Sequence, residues 1–104
     1  MKQNEKVVCA DGFSMSVQAS ETHYCEPRVD NAKSYTSVEV GYPTRYEPLL
    51  IEWMEAVDDY EATTTVYGYV PSQRVALVCA KHGGVVSGEL PAGVPHIKVE
   101  NESR

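Results

Sequence analysis

The sequence predicts a small α+β domain, and three observations carry that prediction. Apolar residues alternate with polar ones between Phe13 and Ala19, and a β-branched and aromatic run spans Thr63 to Val70. Two later segments, Glu47–Val57 and Pro71–His82, switch to helical spacing. The length of 104 residues suits one domain with one modest core.

The elements follow in order. Val7-Val8-Cys9-Ala10 reads as a first strand, and Asp11-Gly12 as a two-residue turn of residues that tolerate positive φ. Phe13, Met15, Val17 and Ala19 then share one face of a second strand, with Ser14, Ser16 and Gln18 on the other. Residues 20–34 are polar and form a loop. A third strand covers Tyr35 to Tyr42: Thr36, Val38, Val40 and Tyr42 lie on one side, Tyr35, Ser37 and Glu39 on the other, and Pro43 ends it.

Glu47 to Val57 is the first predicted helix. Pro48 fits its first turn, Glu47 lies near the positive end of its dipole, and Leu49, Leu50, Trp53, Met54 and Val57 make its apolar stripe. Thr63–Val70 is the fourth strand, with Val66, Gly68 and Val70 turned toward the helices and Tyr67 and Tyr69 turned away. The second helix runs from Pro71-Ser72 to about His82, with Val75, Val78, Cys79 and His82 along one side, and Gly83-Gly84 caps it. Val85-Val86 adds a short strand. Residues 91–104, with Pro91, Gly93 and Pro95, read as an extended tail with a frayed end. The order β-β-β-α-β-α implies an antiparallel-rich sheet with both helices on one face, in one domain whose core spans about 6–90.

Net charge is −6. Phosphate backbones and anionic membranes repel such a surface, whereas a basic protein surface is attracted. No apolar run reaches the length of a membrane span, and Met1 to Lys6 lacks the apolar core of a signal peptide, so a cytoplasmic protein is expected. Cys9, Cys25 and Cys79 are an odd, irregularly spaced set, which fits a reducing compartment better than a disulfide framework.

Catalytic patterns are missing. Cys25 with His23 or His82 offers a thiolate–imidazole pair, yet no nucleophile elbow, oxyanion glycines or orienting Asn/Asp accompany it. Cys25, Cys79 and His82 are the donors on which a metal site would draw, with Cys79 and His82 at i and i+3, but there is no CxxC pair and no metal or other cofactor is expected. The glycines of Lys81-His82-Gly83-Gly84 follow a helix, placing them at the negative end of its dipole, which is wrong for phosphate. The expectation is therefore a non-enzyme.

Two features favour recognition. Seven tyrosines stand against one phenylalanine, and tyrosine is enriched at interfaces. Glu47, Glu52, Glu55, Asp58, Asp59 and Glu61 follow one another with no Lys or Arg between them, and Glu52, Glu55 and Asp59 have helical spacing. Tyr67, Tyr69 and Tyr35, with the Glu52/Glu55/Asp59 stripe, are thus the expected partner-binding residues. Arg28 and Arg74 are the alternative, as phosphate contacts for a small nucleotide-like ligand at a homo-oligomer interface.

Five strings, CADGFSMSVQAS at 9–20, YCEPR at 24–28, VEVGYP at 38–43, VYGYVP at 66–71 and KHGG at 81–84, together resemble a family of small proteins encoded by tailed bacteriophages and prophages. The resemblance covers about residues 7–90 and brings no catalytic residues with it. It implies an accessory or counter-defence factor in the host cytoplasm, acting by occupying a host or defence protein's surface or by sequestering a signalling nucleotide.

Overall fold

A computed structural model describes residues 3–96. Five strands form one antiparallel sheet: β1 (Val7–Cys9), β2 (Ser14–Gln18), β3 (Ser37–Gly41), β4 (Val66–Pro71) and β5 (Val85–Ser87), in the spatial order β4-β3-β2-β1-β5. One α-helix, α1 (Ser72–Lys81), follows β4 directly, and a 3-10 turn spans Pro48–Trp53 between β3 and β4. The helix and this turn pack against each other and against β4. The α+β class and antiparallel sheet agree with the sequence reading. Among the described residues no helix is long and apolar enough to cross a membrane.

The core lies between sheet and helix. Val7, Cys9, Phe13, Met15, Val17, Val38, Val40, Tyr67 and Val70 meet Val75, Val78 and Cys79 from α1. The alternation in β2 places Met15 and Val17 in this core, as its period of two requires. The helix presents Val75, Val78, Cys79 and His82, the side expected from its spacing. Gly83 and Gly84, both with positive φ, return their N–H groups to the Ala80 and Cys79 carbonyls, which closes the helix as anticipated.

Local differences have identifiable causes. The β1–β2 turn has three residues, not two: Cys9 N–H donates to Phe13 O and Gly12 N–H to Cys9 O, so Ala10 joins Asp11 and Gly12 in the loop. Gly12, at φ +94°, supplies the left-handed residue that such a loop needs. The first predicted helix stops at Trp53, because Met54 turns extended (ψ 133°) and pairs with Tyr67 on the free edge of β4. Its apolar stripe is therefore cut short, and Val57 is 93% exposed. Glu52 and Glu55 do not share a helical face as expected, since the helix that would align them ends before Glu55, and the Asp59 side chain lies outside what the structure describes. Part of the presumed tail is docked: Tyr35 N–H donates to Ala92 O, and Pro91 and Val94 are buried. The frayed end lies outside the described residues.

The largest correction concerns β4. Val38 pairs with Val70 but Val40 pairs with Tyr67, so Glu39 alone opposes both Gly68 and Tyr69. This β-bulge inserts one residue and resets the alternation. Tyr67 and Val70 then both point into the core, and Tyr67 is fully buried with its hydroxyl donating to Ala62 O at 2.6 Å. The assignment of Tyr67 to an outward face with Tyr69 is overturned by that extra residue. Tyr35 is buried too: its hydroxyl donates to Val29 O, and its carbonyl accepts from Ser72 Oγ. Neither is a surface residue for a partner.

The bulge makes neighbouring tyrosines unequal. Tyr67→Ala should destabilise by about 3–5 kcal/mol, the cost of emptying a buried aromatic site, while Tyr69→Ala should stay within about 1 kcal/mol. Urea unfolding of the two variants checks this, and similar losses for both would contradict the register.

Candidate functional site

Two constellations stand out, one polar and buried, the other aromatic and exposed. The buried one centres on His82. Helix α1 ends there, and its side chain stacks flat on Phe13, with ring centroids 4.1 Å apart and planes 8° from parallel. Nδ1 lies 2.6 Å from Asp11 Oδ2, and Nε2 lies 2.6 Å from Glu47 Oε1. Lys81 Nζ donates to Glu47 Oε2 at 2.8 Å, and Arg45 donates to Asp11 Oδ2 at 3.0 Å. Arg45, Asp11, His82, Glu47 and Lys81 thus form one chain of alternating acidic and basic groups.

With both carboxylates ionised, both ring nitrogens must donate, which only the imidazolium can do. Asp11 is held below the usual carboxylate range first by its bond from His82, then by the Phe13 N–H, with Arg45 adding attraction. Burial alone would push Glu47 up, since its side chain is 1% exposed. The Lys81 ammonium, the Leu49 N–H and His82 together outweigh burial and hold it below its ordinary value. Leu49 N–H belongs to the first turn of the 3-10 segment, so Glu47 caps that turn while it binds the helix end.

This arrangement is a clasp, not a catalytic dyad. A general base needs a free lone pair, and both nitrogens of His82 face carboxylates. Cys25, the expected partner of His82, is elsewhere engaged: its buried thiol donates to Ser20 O and Pro27 O, and burial pushes its pKa up. His23 bonds instead to Ser20 Oγ through Nδ1, at 2.6 Å. Burial likewise pushes the Cys79 thiol up to about 12. Cys25, Cys79 and His82 do not converge, and among the described residues no three His, Cys, Asp or Glu side chains are placed to hold a metal ion.

The exposed constellation grows out of the β4 bulge. Tyr69 has left-handed backbone (φ +56°), uncommon for a bulky residue and a sign of local strain. That conformation lets its N–H donate to Tyr24 O at 3.0 Å, and the two rings stack with centroids 5.8 Å apart. Arg28 lies over the Tyr24 ring at 5.4 Å, and Tyr24 N–H donates to Glu39 Oε1. Tyr24 and Tyr69 remain 41% and 43% exposed. Two carboxylates border them, Glu39 and Glu55, the latter over the bare Cα of Gly68.

Of the expected partner-binding residues, the structure keeps Tyr69, Glu52 and Glu55 exposed and buries Tyr67 and Tyr35. Tyr24 was not singled out, because a tyrosine in an irregular loop carries no periodic signal. Of the alternative ligand contacts, Arg28 packs on Tyr24, and Arg74 packs on Trp53 at 5.3 Å. A cleft of about 750 Å³ lies between loop residues 30–32 and residues 90–92, but among the described residues neither arginine, nor any other Lys or Arg, lines it. Comparison with family models, curated proteins and solved structures finds no match.

The clasp has two measurable consequences. Glu47→Ala leaves His82 and Lys81 without their shared acceptor and should cost roughly 3 kcal/mol, as for breaking one partner from a buried pair, read from urea midpoints at neutral pH. The stability drawn from depressed carboxylates is fully present above their ordinary values, 3.8 for Asp11 and 4.5 for Glu47, and is lost as pH falls through the lower folded values. Thermal midpoints should therefore fall on acidification below about pH 4.5, and less steeply in Glu47→Gln. A wild-type midpoint constant down to pH 3 would contradict the depressed carboxylates.

Proposed function

We propose that this chain is a phage-type accessory protein that binds and inhibits a host or defence protein, and that it docks through the Tyr24/Tyr69 surface and its acidic border. The phage context comes from the five sequence strings. The mode of action is supported by one observation above the others: two exposed tyrosines and an arginine stacked on a strained bulge, where packing alone would favour burial. Tyr and Arg are the residue types that dominate binding energy at protein interfaces, because they bring large contact area at low entropic cost.

Charge favours the same reading. Arg45 and Lys81 are engaged with Asp11 and Glu47 in the clasp, while Glu52 and Glu55 are exposed and unpaired among the described residues. The net charge of −6 remains outside the charge-balanced clasp, and it suits a basic partner. Binding of a nucleotide signal has less support, because a cleft large enough for it has no cationic lining among the described residues.

Affinity capture from bacterial lysate tests the reading with wild type, Tyr69→Ala and Tyr24→Ala. A specific partner should be recovered by wild type and lost or reduced about tenfold or more in either variant, the scale of an interface hot spot. Equal recovery by all three would reject this surface as the anchor.

A further inference from the structure

The bulge that exposes Tyr69 also sets a carboxylate and a second aromatic ring against the backbone beside it. Gly68 is buried, and a Cβ on it would sit 2.6 Å from Glu55 Oε2, 3.3 Å from Tyr24 Cβ and 3.4 Å from Tyr24 Cδ2. The absent side chain is what lets the Glu55 carboxylate and the Tyr24 ring close over the same point of backbone. Tyr69, the next residue, stacks on Tyr24. Glu55 is anchored from behind, because its N–H donates to Val66 O on β4. Its carboxylate forms no ion pair and accepts no hydrogen bond among the described residues, and Glu55 is exposed.

Two tyrosine rings and an unpaired carboxylate attract one chemistry in common. The ring faces carry negative quadrupole charge and draw a cation to within about 6 Å, and the carboxylate neutralises it. The chain already contains this pairing, since the Arg28 guanidinium lies over Tyr24 at 5.4 Å. Tyr69 has no such cation of its own among the described residues.

We propose that the surface formed by Tyr69, Tyr24 and Glu55 beside Gly68 receives a cationic side chain, an arginine or lysine that the partner protein projects onto it. The proposal rests on the docking reading and specifies what the partner brings. Arginine fits better than lysine, because its planar guanidinium can stack on Tyr69 while it meets the Glu55 carboxylate edge-on. The net charge of −6 steers such a group toward the surface.

The test uses the folded, ¹⁵N-labelled protein titrated at low salt with N-acetyl-arginine methylamide, alongside the neutral isostere N-acetyl-citrulline methylamide. Saturable amide shifts are expected at Glu55, Gly68 and Tyr69 with the arginine probe only. Their midpoint should be on the order of millimolar, the scale of one exposed cation–π contact plus one ion pair. Glu55→Gln should weaken the response roughly fivefold. Gly68→Ala should do the same with every charge retained, because the added methyl pushes the flexible Glu55 carboxylate away and the backbone there needs no positive φ. Tyr69→Ala should abolish it. Equal response to citrulline, shifts spread over the other acidic residues, or indifference to both Glu55→Gln and Gly68→Ala would overturn the cation site. A captured partner that needs Tyr69 but ignores Glu55→Gln and Gly68→Ala would sink the cation site and leave the docking reading standing. Arginine binding without a Tyr69-dependent partner would do the reverse.

Discussion

The imidazole of His82 holds together three segments that are far apart in sequence. Asp11 belongs to the first hairpin turn, Glu47 caps the 3-10 turn, and His82 ends the helix. Backbone bonds run parallel to the side-chain chain, from Asp11 N–H to His82 O and from Ala10 N–H to Gly84 O. Burying a glutamate and a histidine has a large desolvation cost, offset here because both ring nitrogens of His82 and all four carboxylate oxygens of Asp11 and Glu47 meet a partner. The stack on Phe13 fixes the ring plane, so the clasp sets direction as well as distance. Once the helix end is seated on the hairpin, the chain leaving it at Gly83-Gly84 is positioned to pair as β5 with β1, completing the sheet.

The same cluster shapes the surface it does not occupy. It pairs Arg45 and Lys81 with Asp11 and Glu47, and Arg74 is laid on Trp53. Glu39 and Glu55 border the β4 bulge. There one extra residue has opposite effects on two adjacent tyrosines: Tyr67 becomes core and Tyr69 becomes surface, in a left-handed conformation that bulky residues avoid. Strain retained at an exposed aromatic residue is what distinguishes this surface from an ordinary half-buried sheet face.

Much of the fold was legible in the sequence. The period-two pattern of 13–19 and the helical spacing of Val75, Val78, Cys79 and His82 are direct consequences of backbone geometry, and both hold. The closing pair Gly83-Gly84 and the place of Glu47 at the start of the helical segment were readable from residue type and place, but its role as the cap was not. The alternation at Tyr67-Gly68-Tyr69 was not, because a bulge is decided by the partner strand and leaves no mark in the period itself. The end of the first helix at Trp53 was hidden for a related reason: Met54 trades helical bonds for an edge position on β4, a neighbour not adjacent in the chain.

The sequence by itself determined the class of fold, the acidity and the lack of a familiar catalytic motif, since composition and local periodicity depend only on nearby residues. Tertiary structure decided which titratable groups meet. His82 looked like a catalytic or metal-site candidate until Asp11 and Glu47, 71 and 35 positions away, closed on its two nitrogens. It also decided which tyrosines face outward, bringing Tyr24 from an irregular loop onto Tyr69. Both outcomes turn on contacts between distant segments, and a side chain's neighbours across space are set by the packing of the whole chain.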